Sequence, residues 1–390
     1  MNPRRSSPAT KAPATELQEA PSRILVVDDE PGIQRSAQRI LSRHHQVMLA
    51  SSGAEALEIL SREPQDLAIV DVRMPGMDGF ELLRAIKAQH HDTEVIIMTG
   101  SISNPEEKLV EALRERAFYF ISKPFEKTVL ETLVDRCLER QRLERSNERY
   151  VASLETDLEK ARTFQRLLLP RSFPRIQGVR GDVIYEPSER LGGDFYDFFQ
   201  LGKSRLGVLI ADVAGHGVQA ALFTGMLKSE MRAVFDDSET PERLFQRIND
   251  RLATVMRNQY ITAVLAIMDF EAHTMRYVSA GHPAFFSGGG TAYESTGTPL
   301  GMIGGWTYES RLVALRKSDR LFLYTDGLSE SQRPDGEEFG EDRLRECFLE
   351  SHFGAPDKAL EHIVNASKSF ARRDDFEDDA TAMVLEFEAF

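Results

Sequence analysis

Cysteine is nearly absent from this 390-residue chain: two occur, Cys137 and Cys347, far apart and without metal-type spacing. That excludes a disulfide-stapled scaffold or a thiolate zinc site, and implies reduced thiols in a reducing compartment. No apolar stretch approaches the roughly 20 residues of a membrane span. The first 22 residues, MNPRRSSPATKAPATELQEAPS, follow Arg4 and Arg5 with no apolar segment, so they do not read as a secretion signal. Their Pro, Ala, Ser and Thr content predicts a disordered tail over 1–22. A cytoplasmic protein without membrane contact is expected. Basic residues are outnumbered 48 to 62, for a net charge of −14, and no dense Lys/Arg stripe offsets this. Direct nucleic-acid binding is therefore not expected. The remaining composition, 41% hydrophobic and 28% charged, is that of a globular protein long enough for two domains.

From residue 23, apolar runs alternate with amphipathic segments. RILVVD and DLAIVD end on aspartate, EVIIMT and AFYFIS follow, and GAEALEIL and GFELLRAIK lie between. Continuous apolar runs of this kind suit strands buried on both faces of a parallel sheet, whose ligand site lies at the C-terminal strand ends. Those ends carry Asp28 and Asp29, Asp71, Thr99, and Lys123 before Pro124. Gathered carboxylates repel one another, and a hard divalent cation relieves them. A lysine and a hydroxyl beside them can bind phosphoryl oxygens.

ILVVDDE, IVDVRMPGMDG, VIIMTG and FISKPF together resemble the receiver domain of two-component response regulators. The resemblance implies that Asp71 accepts a phosphoryl group from an upstream histidine kinase. It implies Mg²⁺ held by Asp29, by Asp28 through water, by Asp71 and by the backbone carbonyl of Arg73. Thr99 and Lys123 would contact the phosphoryl oxygens, and Phe120 fills the aromatic switch position. An added anion at Asp71 would then shift a two-state packing equilibrium.

Residues 126–169 contain neither Gly nor Pro, which predicts one long helix. A frame of alternating three- and four-residue steps runs from Leu130, Leu133 and Cys137 through Arg140, Glu144 and Asn147 to Val151, Leu154, Leu158, Ala161, Gln165 and Leu168. Its ends are apolar and its middle polar. Such a helix could pair two copies as a weak coiled coil, or dock each end on its own domain.

Four further motifs carry acids: Asp194 in LGGDFYDFF, Asp212 in IADVAGHG, Asp326 in LFLYTDGLSES, and Asp378 and Asp379 in EDDATAMVL. Three of the motifs abut strand-like runs, and their glycines permit sharp turns and close approach. Aspartates at strand ends, with no Cys and little His, suit Mg²⁺ or Mn²⁺ rather than Zn²⁺. Two such ions can share a water and lower its pKa. Asp197 could reach a further metal or cap a turn. His216 could protonate a leaving oxygen or merely hold its loop, while His282 in SAGHPAF suits loop positioning.

With AGHP and TPLG, these motifs resemble the SpoIIE-type branch of the metal-dependent serine/threonine phosphatases over about residues 160–390. The resemblance implies two packed antiparallel sheets flanked by helices, with two Mn²⁺ or Mg²⁺ at one end. Asp194, Asp212 and the carbonyl of Val213 would hold one ion, and Asp326 and Asp378 the other, with Asp212 bridging. Asp379 aligns with a polar supporting position and is a further candidate metal ligand. Ala284 departs from the family's second proline after AGHP. LGGDFYD also resembles the GGDEF signature of diguanylate cyclases, but that reading leaves DVAGHG, YTDG and DDAT unexplained.

The sequence thus predicts an α/β receiver with a doubly wound five-stranded parallel sheet (23–125), a helical linker (126–169) and an α+β phosphatase domain (170–390). By resemblance the substrate is a phosphorylated anti-sigma-factor antagonist in a partner-switching pathway. No ATP-binding kinase domain follows the last phosphatase motif, so the opposing kinase is expected to be a separate protein. The competing class is a non-catalytic adaptor on the same fold.

Overall fold

A computed structural model describes residues 21–90, 92–100, 117–234, 240–351 and 354–388. All but the last two residues of the expected disordered tail lie outside this set. The chain divides into two compact units, Met1–Ala152 and Ser153–Phe390. The division falls inside one helix, α4 (Lys127–Leu168). Among the described residues, no helix is long and apolar enough to cross a membrane.

The first unit is a five-stranded parallel sheet in the order β2-β1-β3-β4-β5, formed by β1 (Arg23–Val27), β2 (Gln46–Ala50), β3 (Leu67–Asp71), β4 (Glu94–Thr99) and β5 (Tyr119–Ser122). Helices α1 (Pro31–Leu41), α2 (Gly53–Arg62) and α3 (Gly79–Gln89) connect the strands whose links are described. The apolar runs of β1 and β3 supply both faces. Leu25, Val27, Ala68 and Val70 pack on one side, and Ile24, Val26, Leu67 and Ile69 on the other with Leu130, Val134 and Cys137 of α4. Asp78 starts α3 with a capping box to Glu81, fixing the turn that follows Asp71. There Gly79 runs so close to β3 that a Cβ would lie 2.2 Å from the Asp71 carbonyl oxygen.

Helix α4 stays on this unit past its apolar contacts. Buried Gln141 donates to the carbonyls of Asp66 and Asp92, and Arg145 pairs with the Asp66 carboxylate at 3.0 Å.

The second unit is a sandwich. One antiparallel sheet, ordered β13-β10-β9-β8-β7, contains β7 (Asp194–Leu201), β8 (Arg205–Val213), β9 (Ile261–Asp269), β10 (Thr274–Ala280) and β13 (Arg311–Ala314). The other, ordered β12-β11-β14-β15-β6, contains β6 (Val179–Glu186), β11 (Phe285–Ser287), β12 (Ala292–Tyr293), β14 (Arg320–Tyr324) and β15 (Ala380–Phe387). Period-two alternation assigns every side chain a layer. Leu206, Val208 and Ile210 of β8 meet Leu321, Leu323, Met383 and Leu385 between the sheets. Leu209, Ala211 and Val213 face α5 (Gly217–Val234) and α6 (Pro241–Val255) instead. On the far side, Phe322, Tyr324 and Val384 pack under α8 (Gly340–Glu350) and α9 (Pro356–Ala371), with the single turn α7 (Asp326–Ser329) after β14. This is the sheet-on-sheet architecture, with helices outside, that the sequence predicts.

Replacing Gln141 by Ala removes two hydrogen bonds, to the carbonyls of Asp66 and Asp92, which keep the Glu94 amide and Arg145 as donors. It should lower that unit's unfolding free energy by about 1–3 kcal/mol, measured by urea denaturation. An unchanged midpoint would show that α4 is held by its apolar contacts alone.

Candidate functional sites

In the first unit the predicted acids meet at the C-terminal strand ends. Among the described residues, Asp28, Asp29 and Asp71 form the one group of three potential ligands whose oxygens all lie within 4.8 Å of each other. Lys123 lies between two of them, with Nζ 2.5 Å from Asp28 Oδ2 and 2.8 Å from Asp71 Oδ1. Burial pushes the Asp28 carboxyl above its ordinary range, against the hydrogen bond from Lys123. Burial also disfavours the Lys123 ammonium, but its bonds to Asp28 and Asp71 outweigh this and hold its pKa up. Thr99 ends β4, buried, and its carbonyl accepts from the Lys123 amide. The Arg73 amide donates to Asp71 Oδ2 at 3.2 Å. Hard carboxylate oxygens in this number suit a divalent cation.

In the second unit, the same alternation that builds the core also aims the acids. Asp194 and Asp212 are direct cross-strand partners at one end of β7 and β8. Both share the phase of Tyr196, Val208 and Ile210, which faces the opposite sheet. Asp326 follows β14 at the same end, and Asp378 and Asp379 precede β15. Asp194 is 1% exposed and reaches across the sandwich. Its Oδ2 accepts from Thr325 Oγ1 at 2.7 Å and Thr381 Oγ1 at 2.6 Å, whereas Oδ1 is buried without a partner.

Electrostatics mark these acids as one cluster. Burial, then the neighbouring Asp212, pushes the Asp194 carboxyl far above its usual range. Burial followed by Asp326, Asp378, Asp379 and Glu330 drives Asp212 up to about 8. Asp326 and Glu330 are raised by burial and by acids of the same group. An orphaned buried carboxylate oxygen within a set of oxygen donors that raise one another fits divalent cations.

Glycine lets the loops close on this point. A Cβ at Gly193 would lie 2.7 Å from the Val213 carbonyl, and one at Gly327 would lie 2.1 Å from that of Asp379. Asp379 itself accepts from the amide and hydroxyl of Ser188 through Oδ1, and from the Gly193 amide through Oδ2. Both oxygens thus hold the loop carrying Asp194. Asp378 is exposed, and its Oδ1 accepts from the Asp379 amide.

Three histidine and aspartate expectations separate here. Asp197 lies in the opposite phase of β7, 2% exposed, paired at 2.6 Å with Lys228 of α5. It therefore points into the helix layer, away from Asp194, because three residues along a strand reverse the face. His282 is buried between Thr262 Oγ1 and the Tyr324 carbonyl, and burial drives its pKa down to about 3. The His216 side chain is 74% exposed, with Nδ1 3.2 Å from Glu189 Oε1.

Sequence reasoning missed Thr325, Thr381, Ser188 and Gln165. The first two were visible as hydroxyls beside acids in YTDG and DDAT. Gln165, on α4, was the lone polar residue in the apolar end of its frame. Its amide donates to the Gly192 carbonyl at 2.7 Å and accepts from the Gly192 amide at 3.2 Å, gripping the loop two residues before Asp194.

Comparison with known proteins agrees with this layout. Residues 24–135 match the response regulator receiver domain, and residues 202–388 match stage II sporulation protein E (SpoIIE). The chain is thus a receiver domain fused to a SpoIIE-type, PP2C-like phosphatase domain, which replaces the cyclase reading. Protein IcfG of Synechocystis sp. is 28% identical over 239 residues, 53% of this chain and 38% of that protein. Phosphoserine phosphatase RsbP of Bacillus subtilis is 30% identical over 181 residues, 44% of this chain and 45% of that protein. The chain thus spans less than half the length of either relative. The solved SiaA-PP2C domain of Pseudomonas aeruginosa shares the fold of the second unit, with a TM-score of 0.54 at 19% identity over 61% of this chain and 99% of that one.

Without metal, the folded protein keeps a proton on Asp212 up to about 8, where an unfolded aspartate with its ordinary value of 3.8 has lost it. The stability tied to that proton is present at low pH and is lost as pH rises through about 8. Metal-free protein should therefore melt lower at alkaline than at mildly acidic pH, and Mn²⁺ should reverse the loss. Asp212→Asn should flatten the profile and weaken the Mn²⁺ response in calorimetry. A steep profile retained in that variant would place the repulsion elsewhere.

Proposed function

We propose that this chain is a response regulator whose output is a Mn²⁺- or Mg²⁺-dependent phosphoserine/phosphothreonine protein phosphatase. The observation that carries the reading is the convergence of Asp194, Asp212, Asp326 and Asp378 at one end of the sandwich, with Asp194 Oδ1 buried and unpartnered. In this reading Asp194, Asp212 and the Val213 carbonyl hold one cation and Asp326 and Asp378 the other, while Asp379 orients the loop. When bound, the pair of cations supplies an activated water and neutralises charge on the phosphoryl oxygens.

The chain's own residues then fix the geometry. Thr325 and Thr381 set the rotamer of Asp194 from the opposite sheet, Asp379 clamps Gly193, and Gln165 clamps Gly192. The exposed His216, beside its partner Glu189, is the candidate proton donor to the leaving oxygen.

In the receiver, Asp71 would take the phosphoryl group from a histidine kinase in the presence of Mg²⁺, with Thr99 and Lys123 as its contacts. The substrate would be a phosphorylated anti-sigma-factor antagonist, so that hydrolysis frees a sigma factor. Support for that pathway is the SpoIIE match. Helix α4 is the covalent path between the two activities. Its middle leaves Tyr150 and Leu154 64% and 45% exposed, which suits pairing with a second copy.

Purified protein should hydrolyse a phosphoserine peptide only with Mn²⁺ or Mg²⁺, and Asp326→Asn should lower kcat by on the order of 10²-fold. A variant as active as wild type, or an inert wild type, would favour the adaptor reading. A beryllofluoride-type phosphoryl mimic at Asp71 should change the rate and the mass in light scattering, and Asp71→Ala should abolish the response. Equal rates in both states would refute coupling.

A further inference from the structure

The second unit holds a set of large apolar side chains in solvent at the same end as the acid cluster. Tyr260, Met302, Ile303 and Trp306 are 37%, 49%, 46% and 38% exposed. Tyr260 accepts the Ala214 amide through its carbonyl at 3.0 Å, two residues beyond Asp212. The next residue, Ile261, exchanges both backbone hydrogen bonds with Leu300, which roots the segment 298–306 at that place. Ile261 is also the register partner of Val213 in β8.

This segment is a rigid loop. Asn249 of α6, fully buried, donates to the Ile303 carbonyl at 2.8 Å and accepts from the Gly301 amide at 2.9 Å. Asp250 accepts from the Gly305 amide at 2.8 Å, and Tyr308 donates to the Thr298 carbonyl at 3.0 Å. Gly301 and Gly305 hold φ of +81° and +75°, a region closed to most side chains. Leu300 plugs the core beneath. Fixed polar anchors, two left-handed glycines and a buried asparagine thus serve to hold Met302, Ile303 and Trp306 outward. Preorganised aromatic and methionine side chains left in water are the composition of a binding surface.

The neighbouring cleft narrows the choice of occupant. A cavity of about 240 Å³ beside Asp378 is lined by Gly327, Glu330, Ser331, Gln332, Glu377 and Asp378. It has room for a phosphorylated side chain and little more. Glu330, Glu377 and Asp378 line it and no Lys or Arg does, so it offers an acidic sequence no cationic side chain. Affinity for the residues around the phosphoamino acid must then come from apolar contact, and the platform of 298–306 with Tyr260 supplies it at the same strand ends.

We propose that Tyr260, Met302, Ile303 and Trp306 form a docking platform for apolar residues flanking the phosphorylated serine or threonine of a protein substrate. The inference rests on the phosphatase reading above, and it adds a sequence preference to it.

The test compares three probes with the full-length protein in Mn²⁺: p-nitrophenyl phosphate, a phosphoserine peptide with Leu, Val and Phe around the phosphoserine, and an equally charged peptide with Ser, Gly and Asn there. Wild type should prefer the apolar peptide by about tenfold in kcat/KM. Trp306→Ala and Ile303→Asp should bring the two peptides level through KM, while p-nitrophenyl phosphate turnover, which does not reach the platform, reports that the metal site is intact. An active wild type with no preference, or variants that keep it, would overturn the platform alone. No turnover of any probe would overturn the phosphatase reading, and the platform with it. Loss of oligomeric mass in the variants with the preference retained would assign the surface to a second copy of the chain, against the proposal.

Discussion

The constraint on which the second unit turns is the forced proximity of like charges. Asp194 and Asp212 face each other across adjacent strands, in the phase that points between the sheets. Like charges directly opposite in a sheet are destabilising, and burial makes each ionised carboxylate dearer still. The fold nevertheless fixes them there. Two threonines from the other sheet hold one oxygen of Asp194 and leave its other oxygen bare. Gly193 and Gly327 give up side chains so that backbone carbonyls can crowd the same point. A protein selected for stability alone would not assemble this, so the strain is best read as preparation for a charge the chain does not itself provide.

The two units solve the same problem differently. In the receiver, Lys123 places an ammonium against both Asp28 and Asp71, so much of the repulsion is balanced by a residue of the chain. A phosphoryl group at Asp71 would compete for that cation. In the phosphatase, Lys228 of the neighbouring helix is committed elsewhere: it pairs with Asp197 on the opposite face of β7. The alternation that puts Asp194 between the sheets sends Asp197, three residues on, into the helix layer.

Much of this was legible in the sequence because it depends on short-range rules. Apolar runs ending on aspartate gave the parallel strands and placed Asp28, Asp71 and Asp212 at strand ends. The glycines of GGD and TDG pointed to close approach, as found at Gly193 and Gly327. What escaped depends on register between distant strands. Thr325 and Thr381 touch Asp194 from more than 130 positions away, and no local pattern reveals that a hydroxyl on one sheet will meet an acid on the other. Asp197 is ambiguous in the sequence because its face depends on the register of β7 against its neighbours. The platform at 298–306 was invisible for another reason: only tertiary contacts show that Asn249 fixes it and that, among the described residues, Met302, Ile303 and Trp306 stay exposed.

Helix α4 contributes residues to both units. Its first half is claimed by the receiver through Leu130, Val134 and Cys137, and then through Gln141 and Arg145. Its last turns are claimed by the phosphatase, where Leu168 joins the core under α5 and α6 and Gln165 grips Gly192. Between them Glu155 pairs with Arg190 at 3.3 Å, and Tyr150, Val151 and Leu154 are exposed. Gln165 thus ties the last turns of α4 to the loop that carries Asp194, and the absence of glycine and proline from 126–169 keeps the helix that bears both Gln141 and Gln165 unbroken.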